Sequence, residues 1–278
     1  EEEKIGDGLG RLCEEDPTLT YERNRETKQD VWTAMGDQQV QNIIHRLKEQ
    51  FKVTINLDKP KVPYRETITG TGDANYRHKK QSGGRGQFAE VYLRVEPLQE
   101  EEYEFKNEVV GGHIPKNFIP AVEKGVVEAM REGPLAKCKV INVLAAVYDG
   151  KYHPVDSSDL AFQIAGRAAF RDALQKAKPQ LLEPIMKLTV VFPEEYMGDI
   201  SGDMNSRRGR IIGMDTKGGM QNLTAEAPLA EIFDYTSQLR SITQGRGHFE
   251  MAFERYETVP AHIAQQIQEQ TKAEEESE

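Results

Sequence analysis

The pattern that most constrains the fold lies in the last third of the chain, where apolar residues switch between two spacings. Four segments carry apolar residues at every second position, as strands do: 186–192, 210–215, 221–227 and 249–253. Two further segments carry apolar residues at helical spacing: 197–204 and 232–242. The resulting order, β-α-β-β-α-β, is that of the split βαβ or ferredoxin-like arrangement. The last unit is therefore expected to be a small α+β domain.

The first 63 residues follow a similar pattern with one piece missing. A weak helix is predicted to end near Glu14, followed by strands near 19–23 and 31–34. Apolar residues at helical spacing over 40–47 predict a second helix, and a last strand is predicted over Val53–Leu57. The opening strand of a split βαβ unit would lie ahead of this sequence. We therefore expect the chain to be a fragment whose first unit lacks that strand, which exposes a sheet edge.

The middle of the chain predicts a different α+β domain. Strands are predicted in five segments: near 65–70, 76–81, 91–95, 103–109 and 139–148. Helices are predicted over about 116–131 and 158–177. The second helix presents a stripe of mostly small residues: Ala161, Ile164, Ala165 and Ala168. Small residues allow close approach, so we expect this helix to pack tightly against another helix.

Prolines suggest where these units meet. Pro60 and Pro63 form one pair and Pro179 and Pro184 another, and proline resists continuing a helix or a central strand. The residues from 271 onwards are acidic and are expected to fray. The expected division is into four parts: 1–63, 64–184, 185–265 and an acidic tail at 266–278.

The charge of the chain is unfavourable for general binding to nucleic acid. With 46 acidic and 36 basic residues the net charge is −10, whereas nucleic-acid coats are normally basic. Residues 76–87 are a local exception, because they contain four basic and no acidic residues. Any RNA contact is therefore expected at such a local basic site.

Other composition features exclude several classes of protein. The only cysteines, Cys13 and Cys138, have no close partner in sequence, which argues against a disulfide scaffold or a cysteine zinc site. No apolar run approaches the roughly 18 residues of a membrane span. The first four residues, Glu1 to Lys4, do not resemble a signal peptide. We expect a cytoplasmic protein without membrane contact and without a metal site.

Two kinds of enzyme can be tested against the motifs. The phosphate-binding pattern G-x-x-x-x-G-K-[ST] is absent from the sequence, so we expect no nucleotide hydrolysis by this chain. A hydrolase could use His153, Asp156 and a neighbouring serine in the segment YHPVDSSD, but neighbours in one short loop rarely converge on an oxyanion pocket. The favoured interpretation is that Asp156 caps the following helix, with Asp159 near its positive end.

Three glycine-containing loops are candidates for phosphate contact. Gln81–Gln87 (QSGGRGQ) joins two predicted strands; its glycines permit close approach, and its flanking cations supply counter-charge. Tyr76 and His78 nearby could stack on unpaired bases. The loops 207–210 (RRGR) and 244–247 (QGRG) have the same character. A flexible hairpin turn remains an open alternative for the first loop, and solvated surface loops for the other two.

Several long motifs resemble the C-terminal half of bacterial translation elongation factor G or a close paralogue. KQSGGRGQF (Lys80–Phe88) and YHPVDSSDLAF (Tyr152–Phe162) resemble the two loops at the tip of its fourth domain. Four more motifs resemble its fifth domain, its third domain and the junction of the third with the fourth: PEEYMGDISGDMNSRRGRI (Pro193–Ile211), PLAEIFDYTSQLRSITQGRG (Pro228–Gly247), EEDPTL (Glu14–Leu19) and KPKVPYRETI (Lys59–Ile68). The resemblance covers essentially the whole chain.

The resemblance implies a fold and a role. The fold would be α+β with three small domains, the first and last ferredoxin-like split βαβ and the middle one ribosomal-protein-S5-domain-2-like. The role would be that of a monomeric ribosomal translocation factor, whose fourth domain reaches the small-subunit decoding region and moves A-site tRNA and mRNA. GTP and magnesium are implied only for nucleotide-binding domains that precede this segment in the family. This chain alone is therefore expected to hold no cofactor and not to be an enzyme.

The resemblance also implies two sets of site residues. The tip that contacts the ribosome and tRNA would comprise Ser82, Gly83, Gly84, Arg85, Gly86, His153, Val155, Asp156 and Ser157. Contact with large-subunit RNA, near the stalk base and the sarcin–ricin loop, would involve Arg207, Arg208, Gly209, Arg246 and Gly247. No catalytic residue is implied in this segment.

One departure from the family pattern leaves alternatives open. The family's third-domain helix typically begins G-M-G-E-L-H-L-E, whereas residues 34–41 read AMGDQQVQ, with polar Gln38 and Gln39. A divergent paralogue with different GTPase coupling would fit this change. A ribosome-protection or rescue protein sharing the architecture is the main alternative function, and a stand-alone hydrolase using His153 is a remote one.

Overall fold

The computed structural model describes residues 2–24, 27, 29–81, 86–99 and 101–277. The chain divides into two compact units, one formed by residues 1–63 and 184–255 and the other by residues 64–183 and 256–278. Helices and strands occur together in both units, so the predicted α+β class is confirmed. Among the described residues, no helix is both long and apolar enough to cross a bilayer.

The first 63 residues form a hairpin and two helices. The elements are α1 (Glu2–Glu15), β1 (Thr20–Asn24), β2 (Gln29–Thr33) and α2 (Asp37–Phe51). β1 and β2 pair antiparallel, and the two helices pack together around a small core: Leu9, Leu12, Leu19, Ile43 and Leu47. The apolar spacing of α2 therefore buries one helix face, as the sequence predicts.

The polar residue Gln39, which departs from the family pattern, joins three segments. Its side-chain oxygen accepts the N–H of Met35 at 2.6 Å. Its amide nitrogen donates to Asp16 Oδ2 at 2.6 Å and to Thr18 Oγ1 at 2.8 Å. Gln39 thus holds the start of α2 against the turn that follows α1.

The strand predicted over Val53–Leu57 is not observed. Residues 52–64 have no regular secondary structure, although Val53 is buried and Ile55 packs against the core of the first 63 residues. In the split βαβ arrangement the last strand pairs with the first. No strand precedes α1 among the described residues, so Val53–Leu57 finds no ladder partner there. Val53 is still buried and Ile55 half-buried without forming a strand, whereas Leu57 is exposed.

The middle of the chain is built on a four-stranded sheet. The elements are β3 (Arg65–Ile68), β4 (Gly72–Lys80), β5 (Gln87–Pro97), β6 (Tyr103–Asn107), α3 (Ile119–Ala129), β7 (Lys139–Val140), β8 (Val143–Lys151) and α4 (Asp159–Lys176). The sheet order is β4-β5-β8-β6, while β3 pairs with β7. The single strand predicted over 139–148 is split into β7 and β8, with Asn142 in the left-handed region at φ 59° between them.

The helices α3 and α4 pack closely, as the small residues predict. A Cβ added to Gly125 of α3 would lie 2.1 Å from the backbone oxygen of Gln163 in α4. The buried stripe of α4 is broader than the predicted one, because Phe162 and Phe170 are fully buried beside the alanines, whereas Ile164 and Ala168 are half-buried. Two phenylalanines therefore fill the core between this helix and the sheet.

The last part of the chain has the predicted strand and helix order. The elements are β9 (Pro179–Pro193), α5 (Met197–Ser206), β10 (Arg210–Lys217), β11 (Met220–Pro228), α6 (Tyr235–Ile242), β12 (His248–Thr258) and α7 (Ala261–Ser277). β9 pairs with β11 and β12, and β11 pairs with β10, which gives the ferredoxin-like order. Leu188, Val190 and Phe192 of β9 are buried in one core with residues of α5 and α6.

The prolines Pro179 and Pro184 lie within β9 rather than in a linker, and Pro179 is the first residue of the strand. The division between the two compact units falls within this pair, between Glu183 and Pro184. Pro184 lies between the residues paired with β3, which end at Leu182, and those paired with β11, which begin at Ile185. It therefore interrupts neither of these two ladders.

The acidic stretch expected as a frayed tail is helical. Helix α7 continues to Ser277, since Ala, Glu, Gln and Lys are good helix formers. The side chain of Gln265 donates to Glu269 one turn later at 3.0 Å. The partly buried Ile263 and Ile267 anchor the start of α7 to a small cluster that contains Leu181 and Val259.

Candidate nucleic-acid interface

Two loops meet at one end of the middle sheet and form what we call the tip, residues 81–87 and 152–158. The first joins β4 to β5, whose pairing ends with Lys80 opposite Gln87. The predicted site residues Ser82, Gly83, Gly84 and Arg85 lie outside the described residues. Gly86 is described, and a Cβ there would lie 3.0 Å from Cγ of Asp156 in the second loop. The two loops are therefore in close contact at Gly86.

The second loop connects β8 to α4. Ser158 caps α4, since its hydroxyl accepts the N–H of Ala161 at 3.3 Å, and Asp159 lies in the first turn. Asp156 was expected to be the cap, and that expectation is wrong. Its carbonyl accepts the N–H of Phe88 at 2.9 Å, so its backbone binds the first loop's strand instead.

Ser157 bridges the two loops through its hydroxyl. Ser157 Oγ donates to the carbonyl oxygen of Phe88 at 2.7 Å and accepts the N–H of His153 at 2.9 Å. The residue is buried. Because both partners are backbone groups, Ser157 fixes the path of the chain on either side of the tip.

The ring of His153 is held in one tautomer. Its Nδ1 accepts the backbone N–H of Asp156 at 3.1 Å and of Val155 at 3.3 Å. A nitrogen that accepts hydrogen bonds carries no proton, so the hydrogen-bond network assigns the neutral ring a proton on Nε2. The carboxylate of Asp156, 3.3 Å from Nδ1, is then a neighbour rather than an ion-pair partner.

These contacts do not form a hydrolytic triad. Ser157 Oγ donates to a backbone carbonyl, and His153 Nδ1 accepts backbone N–H groups. A nucleophilic serine would instead donate to the imidazole. The described geometry favours a binding surface.

The surface of the tip combines donors with apolar groups. The side chain of His153 is 50% exposed, and Val155 is 61% exposed. His78 is already engaged, because its Nε2 lies 2.8 Å from the side-chain oxygen of Gln87. Tyr76 is exposed in the middle of β4, and Tyr152 is exposed directly after β8.

The second predicted set of residues lies around α5 and α6, and Arg207 is enclosed within it. Its guanidinium donates to Asp203 Oδ2 at 2.9 Å, to Asp234 Oδ1 at 2.7 Å and to the carbonyl of Glu231 at 2.6 Å. It also lies over the ring of Tyr235, 5.2 Å from the centroid. The bonded guanidinium holds the pKa of Asp234 below its ordinary value. With 12% of its side chain exposed, Arg207 positions α5 against the start of α6.

The other members of this set are more accessible. Arg208 pairs with Glu231 at 3.0 Å, and the half-exposed Arg246 pairs with Glu195 and stacks over Tyr196. Gly209 N–H donates to Met204 O at 2.9 Å, and Gly247 N–H donates to Thr243 Oγ1 at 2.8 Å. The two glycine loops are thus ordered by hydrogen bonds to the helices before them.

Comparison with known proteins identifies the domains. Models of elongation factor G match three consecutive stretches: domain III over residues 1–59, domain IV over 60–178 and the C-terminus over 180–267. An elongation factor G-like protein of Thermotoga maritima is 48% identical over 98% of this chain. The chain belongs to the elongation factor G family.

A solved structure supports the same relationship. A crystal structure of a protein from Thermus thermophilus is 42% identical and superposes with a TM-score of 0.89 over 98% of this chain. The present chain spans 40% of the length of the Thermotoga relative and 41% of the length of the solved Thermus chain. The tip lies in the domain IV match, and the arginine set lies in the C-terminal match.

Some functional side chains were not found from the sequence of this elongation factor G segment. Phe88 was not predicted as a site residue, yet its backbone N–H donates to the carbonyl of Asp156 and its carbonyl accepts the hydroxyl of Ser157. The acidic partners of Arg207 were also missed. A signal existed for one of them, because Asp203 precedes Arg207 by four residues on a helix.

Proposed function

We propose that this chain is the ribosome-binding part of a translational GTPase of the elongation factor G type. In this proposal the tip enters the decoding region of the small subunit and promotes translocation of tRNA and mRNA. GTP and magnesium act in nucleotide-binding domains of the parent protein, not in these residues. The tip breaks no bond and serves to occupy a site.

The bracing of the tip is the observation that best supports this proposal. Ser157 ties the second loop to the start of β5 through the backbone of Phe88, and the exposed side chains of that loop stand on an α+β support. The Nε2–H of His153 is available as a hydrogen-bond donor to RNA. A shape fixed in this way can enter a defined site without reading base sequence.

A second contact with large-subunit RNA, near the stalk base and the sarcin–ricin loop, is proposed for the arginine set. The accessible side chains there are Arg208 and Arg246, with Gly209 and Gly247 beside them. Arg207 supports this contact indirectly, because its side chain is mostly buried and bonds to Asp203, Asp234 and a backbone carbonyl.

The test is co-sedimentation of the 278-residue chain with vacant and tRNA-loaded ribosomes over a salt series. We expect binding that weakens as salt rises, because phosphate contacts release counterions. His153→Ala should weaken binding by about tenfold through the loss of a hydrogen bond to a charged acceptor. The matched control is His262→Ala, an exposed histidine on α7.

Each outcome has a defined meaning. No binding by the folded chain would contradict the proposal that these domains carry affinity for the ribosome. Equal binding by the His153→Ala and His262→Ala variants would contradict the proposal that the tip contacts the ribosome. Preference for drug-bound or stalled ribosomes over tRNA-loaded ones would favour a protection or rescue role.

A further inference from the structure

The face of the middle sheet that points away from α3 and α4 carries a row of three charged residues next to the tip. In the pairing of β4, β5 and β8, Arg77 lies opposite Glu90, and Glu90 lies opposite Lys151. Side chains of directly paired residues stand on the same face. Ala89 and Val91, the neighbours of Glu90, belong to the core beneath the helices, so this row faces the other way.

Glu90 fixes the guanidinium of Arg77. The carboxylate accepts two hydrogen bonds from Arg77, from Nε at 3.0 Å and from Nη2 at 3.1 Å, one on each oxygen. It also accepts the hydroxyl of Tyr92 at 3.2 Å, and Lys151 Nζ lies 3.9 Å away. The Glu90 side chain is 3% exposed, whereas that of Arg77 is 54% exposed. A buried carboxylate thus holds an exposed arginine in one orientation.

The held arginine keeps donors for another partner. Its two bonds to Glu90 use Nε and one Nη2 hydrogen, and a guanidinium has five N–H donors. Lys79 lies two residues further along β4, opposite Phe88, and is exposed on the same face. The acidic residues of this face are Glu90 and Asp149, which lies opposite Tyr92. Arg77, Lys79 and Lys151 outweigh them by one positive charge.

The surroundings of the row fit RNA. Phe88 and Tyr92 stand on the same face of β5 as Glu90, and aromatic rings on an open sheet can stack on unpaired bases. A planar arginine fork flanked by lysines matches the geometry of a phosphodiester. The row also adjoins the tip, because Phe88 stands on the same face of β5 as Glu90 and its carbonyl accepts the hydroxyl of Ser157.

We infer that Arg77, Lys79 and Lys151, positioned by Glu90, form a phosphodiester-binding site for RNA on the open face of the sheet, separate from the tip loops. This inference rests on the proposed function, because it takes ribosome-bound RNA as the partner. The site extends the RNA contact from the tip along the sheet. Glu90 is a positioning residue in it.

The experiment measures binding of the chain to tRNA-loaded ribosomes across a salt series. Arg77→Ala, Lys79→Ala and Lys151→Ala should each weaken binding about three- to tenfold and reduce the salt slope by about one. The matched control is Arg171→Ala, because Arg171 is exposed on α4 and pairs with Glu132 at 3.4 Å. It should leave both the affinity and the slope unchanged.

The variant Glu90→Gln distinguishes the orientation of Arg77 by Glu90 from an effect of net surface charge on RNA binding. This change removes one negative charge, so RNA binding that depends on net charge alone would become tighter. The inferred site predicts weaker binding, because the orientation of Arg77 is lost. Arg77→Lys tests the same point without touching the buried carboxylate, and it should bind more weakly than the unchanged chain although its charge is equal.

Two results would overturn this inference without affecting the proposed function, and a third would overturn both. If His153→Ala weakens binding but Arg77→Ala behaves like Arg171→Ala, the tip acts without the sheet face. If Arg77→Lys binds as tightly as the unchanged chain, the planar guanidinium of Arg77 does not contribute to RNA binding beyond its charge. If the chain does not bind ribosomes at all, the proposed function fails together with this inference.

Discussion

Arginine side chains in this chain have two different roles, and their carboxylate partners separate them. Arg207 is enclosed by Asp203, Asp234 and a carbonyl, whereas Arg77 is held on one edge and exposed on the other. Both occur in segments that are basic in sequence. Burial of the whole side chain indicates a role in the fold, while burial of the partner alone leaves the arginine available to a ligand.

Glu226 gives a prediction for pH dependence. Its carboxylate accepts hydrogen bonds from Arg255 at 2.9 and 2.7 Å and from Arg210 at 2.6 Å, which lower its pKa to about 2. A lowered pKa stabilises the folded state above the ordinary value of 4.5 and loses that effect as the pH falls towards 2. Glu226→Gln should therefore reduce the melting temperature at pH 6 and show a smaller further loss on acidification.

The measurement is a pair of thermal unfolding series from pH 6 to pH 2.5. The difference between the two proteins isolates Glu226 from the other carboxylates. The control is Glu104→Gln, because Glu104 pairs with Lys106 at 3.4 Å on an exposed part of the surface. Parallel curves for the unchanged chain and Glu226→Gln would contradict the prediction.

The sequence predicted the positions of the candidate loops better than the hydrogen bonds that their side chains make. The two loops of the tip could be predicted because glycines, cations and motif resemblance mark them. The bonds of Ser157 and the capping role of Ser158 could not be predicted, because two adjacent serines are equivalent in sequence. Only the geometry of the turn decides which of them caps the helix. The enclosure of Arg207 depends on Asp234, which is distant in sequence.

At the scale of the elements, periodicity predicted most of the strands and helices. It succeeded where one face of an element packs against a core, as for β9 and α4. It failed at Val53–Leu57, because a strand also requires a partner that the pattern of one segment does not reveal. The acidic composition of the residues from 271 onwards predicts a frayed tail, and this prediction is wrong because the same residue types favour helix.

The contact between α3 and α4 predicts opposite effects for two glycine substitutions. Gly125→Ala should destabilise the chain by about 1–3 kcal/mol, because the added methyl group meets the backbone oxygen of Gln163. Gly202→Ala in α5 should stabilise it by about 0.5–1 kcal/mol, since nothing lies within 4 Å of the added Cβ and alanine favours helix. Urea denaturation measures both. Equal effects of the two changes would contradict close packing at Gly125.

For the whole molecule, the important quantity is the distribution of charge rather than its sum. The net charge of −10 coexists with a basic stretch at residues 76–87 in the middle domain. Acidic residues elsewhere, including those of α7, repel the RNA backbone. We expect this arrangement to suppress nonspecific RNA binding while leaving local contacts intact.

Neutralising α7 tests this expectation. The triple change Glu269→Gln, Glu274→Gln and Glu276→Gln should raise the affinity for a poly(U) RNA of about 30 nucleotides about two- to fivefold at low salt. Filter binding measures the effect, which should vanish at high salt because the charges are screened. The corresponding Asp triple variant keeps the charge and should bind like the unchanged chain. No gain in affinity with the Gln variant would contradict a repulsive role.

The bridge at Ser157 has a consequence for the evolution of this protein. The loop path depends on one buried hydroxyl and on backbone groups, while the side chain of Val155 points outward and is 61% exposed. Substitutions at such an outward position alter the exposed surface of the tip at little cost to folding. A duplicated gene could therefore acquire a new task on the ribosome by drift at these positions, with the inherited scaffold unchanged.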